Sequence, residues 1–364
     1  MDKKQNIPVG FLFLLCSFLL TVTACRNNED LPEETDPDGT SKEISFTFNI
    51  ANEPETRSTV DGSGNVQHVQ YVQLYIFNGT GANAPCIASE NVNWEEHFNN
   101  SLPTTSAQMT YKVKYKNFQA GTTYTFLAVG LDDQAGATYG FPGAISAGTS
   151  SPTILGNATA VLSSGSTWST LATAELFAGY TTLTAGTYGF SGQIDLYRRV
   201  AGIKGWFTNV PSTLGGKNVS GVRVSLYTQQ NNSVPLIKQQ QKPVFKDYIL
   251  SPATSTAESK VLFTLAAPGS TSTVISKGVY ILPTPAPPAT GSNDYTVIIE
   301  LTASDGSVLR STRVKLSAGD SLDPSTSSGT GIIDSEADYR FPIIANHFYS
   351  IGSSTKAIDL GVAP

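Results

Sequence analysis

Cys25 is the residue best placed to do chemistry. It follows Val22-Thr23-Ala24 at the end of an apolar run, Val9 to Leu20, which is itself preceded by Lys3 and Lys4. A positive start, an apolar stretch too short to span a bilayer comfortably and a small residue before a cut make a secretory signal. Cleavage between Ala24 and Cys25 would leave Cys25 as the new N-terminus, with a thiolate that is a good nucleophile. The second candidate is Arg57. It stands in Asn52 to Gly64 (NEPETRSTVDGSG), a polar stretch containing Pro54, and is the only long cation between Lys42 and Lys112. Such a stretch is expected to be an exposed, locally unfoldable loop in which a protease can bind the extended backbone; from the residues alone Arg57 reads first as an ordinary surface arginine.

Other chemistry finds little to work with. The 3 histidines, His68, His97 and His347, are isolated from one another. No His/Cys/Asp spacing matches a zinc site, and no serine sits in a nucleophile elbow. The glycine pairs at Gly62-Ser63-Gly64 and Gly79-Thr80-Gly81 lack a following helix pattern and read as turns, not phosphate loops. Asp132-Asp133 would bind calcium only with further ordered oxygen ligands. The chain is therefore expected to be no enzyme and to carry no metal and no cofactor. Its net charge of −6 and pI near 5.1 leave no basic stripe for phosphates, which excludes nucleic acid as a partner. Cys16 leaves with the signal and Cys25 would be the new N-terminal residue, so Cys86 stands alone in the body of the chain and no intramolecular disulfide is expected.

The elements that position these residues read as strands. Charged residues are only 14% and hydrophobic residues 40%, a balance that suits an extracellular all-β chain large enough for two cores. Ile44, Phe46, Phe48 and Ile50 alternate with polar residues, the period of a strand with one buried face. Strand patterns follow at Val69 to Phe77, Tyr111 to Tyr115 and Tyr124 to Val129. Ala135 to Ser151 reads as loop, and Ala158 to Leu171 with Ala174 to Tyr180 as the most helix-tolerant part of this half. After a glycine-rich turn at Thr187 to Gly192, a long strand pattern restarts at Asp195 to Phe207. Further strands are expected at Val222 to Tyr227, Val261 to Leu265, Val279 to Leu282, Tyr295 to Leu301, Val308 to Leu316, Tyr339 to Ile344 and His347 to Ile351. Pro283 to Pro288 reads as a stiff linker or edge segment.

The expected organisation is a signal over residues 1–24, an acidic tether over 25–43 and two tandem β-sandwich domains over 44–193 and 194–364. The tether cannot bury enough surface to fold. Each half has about the strand count of a Greek-key sandwich.

A small residue before a cysteine, with an aliphatic one two positions further back, resembles the lipobox of bacterial lipoproteins. That implies a diacylglycerol on Cys25 and an acylated α-amine, enough chains for stable attachment. Glu29, Asp30, Glu33 and Glu34 resemble the export signal of Bacteroidetes surface lipoproteins. Together with the strand Ile44 to Ile50, Glu55-Thr56-Arg57, the strand Val72 to Gly79, Arg198-Arg199-Val200-Ala201 and the C-terminal Phe341 to Gly352, the chain resembles the fimbrillin-type pilus subunits of Bacteroidetes. The resemblance implies transthyretin-like β-sandwiches and surface export through lipoprotein processing enzymes and the outer membrane. It also implies assembly with other fimbrial subunits by strand exchange. The resemblance further implies that an arginine-specific protease, cutting here between Arg57 and Ser58, would remove the first strand, and that the C-terminal strand of another subunit would fill the groove. Ile358, Leu360 and Val362 are the alternating set this chain could donate. The family's stalk subunits carry longer tails, so a tip or minor subunit is expected, with a lipid-retaining anchor as the alternative. Asp320-Ser321-Leu322 resembles an O-glycosylation acceptor. A further alternative is a glycan-binding surface lipoprotein using Trp94, Trp168, Tyr139 and Phe141, with a host or bacterial surface ligand.

Overall fold

The computed structural model describes residues 44–50, 69, 71–93, 108–131, 133–163, 174–187, 189–228, 232–237, 258–269, 272–284, 297–314, 317–318, 343, 345–346 and 348–361. The protein is all-β, as its alternating sequence implies. In the first part of the chain the strands are β1 (Ile44–Ile50), β2 (Tyr71–Phe77), β3 (Cys86–Asn93), β4 (Gln108–Lys112), β5 (Thr123–Leu131), β6 (Thr159–Val161), β7 (Leu176–Thr184) and β8 (Phe190–Arg198). All but β6 join a 7-stranded sheet in the order β3-β2-β5-β7-β8-β1-β4.

This sheet curls until its two ends meet. Glu90 on β3, the strand at one end, accepts hydrogen bonds from the Tyr111 hydroxyl on β4 (2.9 Å), the strand at the other end, and from the backbone N–H groups of Lys114 (3.0 Å) and Tyr115 (2.7 Å). The inside of the curl is filled by Phe46, Phe48, Val72, Leu74, Ile76, Phe126, Ile194 and Leu196. The alternate residues of β2 and β5, among them Tyr75, Phe77, Leu127 and Val129, enter a second apolar cluster on the opposite face. Both faces of these strands are thus buried, which is why their sequences read as near-continuous apolar runs.

The later strands build the second part. β9 (Ala201–Thr208) is followed by the hairpin of β10 (Thr213–Leu214) and β11 (Lys217–Asn218). Then come β12 (Gly221–Thr228), β13 (Ser233–Pro235), β14 (Glu258–Ala266), β15 (Ile275–Ile281), β16 (Val297–Thr302), β17 (Val308–Val314), β18 (Ser317–Ala318), β19 (Phe348–Ile351) and β20 (Ile358–Asp359). One sheet runs β14-β12-β16-β17; the other runs β15-β9-β19-β18, with β20 also on β9. The boundary expected between residues 193 and 194 falls inside β8, which continues to Arg198 and pairs with β1 and β7. Sheet membership changes at Arg199 and Val200 instead.

The two parts are tied together by buried charge. Arg198 donates from Nε (3.0 Å) and Nη2 (2.6 Å) to Glu175 Oε1, and Tyr280 on β15 donates to the same oxygen at 2.8 Å. Neither charged side chain has any exposed surface. The Arg198 guanidinium also lies over the rings of Phe177 (5.1 Å) and Tyr280 (5.6 Å). Arg199 donates to the carbonyls of Ala178 and Leu236, and β6 pairs antiparallel with β13.

Three local expectations are corrected. Ala174 to Tyr180 is not helical; from Leu176 it is β7, because a slot between β5 and β8 and the partner of Glu175 outweigh helix tolerance. The stretch Ala135 to Ser151 is not all loop, since a helix, α1 (Asp133–Tyr139), enters it. Phe190 to Gly192 belong to β8 and not to a turn.

Arg198→Ala leaves the Glu175 carboxylate buried without its cation and should cost about 3–5 kcal/mol of stability in urea unfolding. Replacing Glu175 and Arg198 together with apolar residues of similar volume should recover most of that loss.

Candidate functional site

The alternation of β1 places it on the curled sheet with Phe46 and Phe48 inward. It is an inner strand, not an edge. Residues 44–50 run parallel to β8, with Phe46 opposite Gly192 and Phe48 opposite Ile194. On its other flank it runs antiparallel to β4, with Phe46 opposite Tyr111 and Phe48 opposite Met109. Phe46 and Phe48 are both fully buried. The Phe46 ring centroid lies 4.6 Å from that of Phe126, and the Phe48 ring 6.3 Å from Phe46 and 6.4 Å from Tyr111. Taking β1 away would therefore leave a slot between β8 and β4, lined by unpaired backbone on both sides and floored by apolar side chains.

The far wall of that slot is fixed by Glu90, which holds Tyr111, Lys114 and Tyr115. Burial and the hydrogen bond to Glu90 push the Tyr111 hydroxyl well above its ordinary pKa, so it stays a protonated donor at neutral pH. Neither Glu90 nor Gly192 stood out in the sequence. A signal existed for Gly192: it sits in period with Phe190, Ile194 and Leu196, and a glycine inside a strand pattern marks a close approach.

The C-terminal candidates lie elsewhere. Ile358 and Asp359 pair in parallel with Phe207 and Thr208 of β9, continuing the line of β19 after an excursion at Gly352 to Lys356. Ile358 and Leu360 are buried. The Leu360 N–H donates to Thr208 O, Arg310 donates to the Leu360 carbonyl, and Asn209 Nδ2 donates to Asp359 Oδ2 at 2.8 Å. Ile358 and Leu360 thus serve the core of their own subunit. Val362 lies outside the described residues, as do Ala24, Cys25, Arg57, Ser58, Trp94, Trp168, the histidines and Asp320 to Leu322.

Tyr139 and Phe141 are not surface aromatics. They are 1% and 8% exposed, because α1 and the turn after it fold back onto the outer face of the first sheet, with Phe141 against Tyr75. Cys86 is buried too, and burial pushes its thiol up to about 11. Among the described residues no helix is long and apolar enough to cross a membrane.

Phe46→Ala and Phe48→Ala should each cost about 3–5 kcal/mol, read by urea unfolding, through lost burial and the cavity left behind. Thr47→Ala, on the opposite face, should change stability by less than about 0.5 kcal/mol.

No curated protein matches the chain. Among solved structures it is similar to the fimbrial anchor protein Mfa2 from Porphyromonas gingivalis, at 10% identity, 80% of this chain, 95% of that one and a TM-score of 0.35. It is similar to the tip fimbrial protein Mfa3 from the same organism, with C-terminal truncation, at 11% identity, coverages of 85% and 93% and a TM-score of 0.35. A candidate adhesin from Bacteroides thetaiotaomicron gives 11% identity, coverages of 78% and 82% and a TM-score of 0.42. These scores lie below 0.5, and the assignment rests on the sequence family instead. Residues 37–345 match the family Mfa2, described as fimbrillin-A associated anchor proteins Mfa1 and Mfa2. With most of its length so matched, the chain belongs to this fimbrial family.

Proposed function

We propose that this protein is a structural subunit of a surface fimbrium, exported as a lipoprotein through Cys25 and activated by an arginine-specific cut after Arg57. Removal of β1 then opens the slot between β8 and β4, and a strand from another subunit fills it. The observation that carries this reading is the place of β1. It is the first strand among the described residues, yet it lies inside the sheet, hydrogen-bonded on both flanks. Its loss would leave two facing rows of backbone donors and acceptors, which an added strand satisfies. The role is assembly and not catalysis, with other fimbrial subunits as partners and the outer membrane and fimbrium as location.

A tip or minor position is supported by the tail. Ile358 and Leu360 are committed to the subunit's own core, so donating them would uncover that core. A first-exported subunit needs a slot but never needs to donate. The family's description as anchor proteins favours the second reading, an anchor that keeps its lipid and first strand.

N-terminal sequencing separates the two. In the tip reading, material in fimbriae begins at Ser58, and Arg57→Ala stays full-length and membrane-bound; fimbriae in which the chain still begins at Cys25 would establish the anchor instead. Cys25→Ala should lose incorporation of an alkyne fatty acid and leave the outer-membrane fraction. Labelling that persists in this variant would overturn the lipid assignment.

A further inference from the structure

The slot is not uniform along its length. Phe46 faces Gly192 across the β1–β8 ladder, where neighbouring register positions meet Ile194 and Leu196. A Cβ placed on Gly192 would lie 2.8 Å from Leu183 Cδ1 and 3.2 Å from the Phe46 ring, so the absence of a side chain there makes room that the Leu183 tip and the ring share. Phe126 closes the same pocket from another side, its ring centroid 4.6 Å from that of Phe46. A glycine inside a strand leaves no side chain to pack and marks a close approach, here by the Phe46 ring and Leu183.

Resting on strand exchange as the mode of assembly, we infer that Gly192 sets the specificity of the slot. The incoming strand must carry an aromatic ring at the position opposite Gly192 and an apolar side chain two residues on, opposite Ile194. The occupant is therefore a partner's extended segment of that pattern and not the tail of a second copy of this chain. The tail's alternating set, Ile358, Leu360 and Val362, contains no ring, and its first two members are buried in their own sheet. An aliphatic residue at this position would leave part of the pocket empty, while a ring reproduces what Phe46 does.

The test uses the full chain cut by an arginine-specific protease and offered dye-labelled heptapeptides in mild urea, with uptake read by fluorescence anisotropy. The peptide Ile44 to Ile50 should enter. The same peptide with Phe46→Tyr should bind within about tenfold of it, and the Phe46→Ala peptide about a hundredfold or more weaker. A peptide of Lys356 to Pro364 should do no better than the alanine peptide. In the uncut chain, Gly192→Val should lower the melting temperature, and Phe46→Ala added to it should restore part of the loss. Peptides that enter equally with and without the ring, strong uptake of the tail peptide, or a Gly192→Val chain that accepts Phe46 without loss would overturn the specificity assignment while leaving strand exchange intact. A cut chain that takes up no peptide at all would overturn strand exchange, and this assignment with it.

Discussion

A carboxylate and two guanidinium groups without exposed surface hold the frame on which everything else depends. Taking such ions from water costs several kcal/mol each, so they persist only where charge partners, hydrogen bonds and rings offset that cost. Arg198 meets Glu175 through two N–H groups and is sandwiched by the rings of Phe177 and Tyr280, while the Tyr280 hydroxyl completes the carboxylate. Arg199 donates to the carbonyls of Ala178 and Leu236. Side chains on successive residues thus bind β7, β15 and the segment after β13 to the end of β8. Because that end of β8 is pinned, its other end can act as a fixed floor for β1. Gly179 permits this arrangement: β7 crosses so close to Asp195 that any Cβ would meet the Asp195 carbonyl.

Much of this frame was legible in the sequence, and the misses have physical causes. Strand β1 announced itself because only one of its faces is buried, which leaves a clean alternation. Strands β2 and β5 also read correctly, since their Val, Ile, Tyr and Phe content marks strands even where both faces are covered. Strand β7 did not, because Ala174 to Ala178 is a short run of small and apolar residues beside a glutamate, equally acceptable to a helix. What decides it is Glu175 finding Arg198, a contact 23 residues away along the chain. The Arg198-Arg199 pair stood out as a motif, but nothing in its spacing said that both side chains would be buried. The aromatic residues Tyr139 and Phe141 sit among glycines and alanines and read as exposed; a short helix turns them inward.

The same arrangement occurs at both ends of the described chain. β1 lies parallel to β8, and β19 with β20 lies parallel to β9, the next strand in sequence. Each terminal segment lies against a strand that is paired on its other side as well, β8 with β7 and β9 with β15. Their losses have different consequences. β1 leaves a slot between two strands, with β4 held in place by Glu90. The tail is fastened by side chains as well, through Asn209 and Arg310, and its removal uncovers the apolar surface beneath Ile358 and Leu360.

The energetics explain why an intact chain should keep β1 and a cut one could trade it. Burial of Phe46 and Phe48 is worth roughly 1.5–3 kcal/mol each, and each ladder hydrogen bond adds about 0.5–1.5 kcal/mol net. A free donor of equal fit gains the same terms but also bears the cost of association. While β1 remains tethered it competes from an effective concentration on the order of millimolar, which no dilute partner matches. The residues between Ile50 and Tyr71, with Arg57 among them, are that tether. A cut there changes no contact of β1 with the sheet; it removes only the concentration advantage, so that a strand once lost returns no faster than its bulk concentration allows. The ladder of β1 also gives one register that a replacement can adopt. A strand that reproduces the register of β1, parallel to β8 and antiparallel to β4, sets its alternating residues opposite Gly192 and Ile194 in turn.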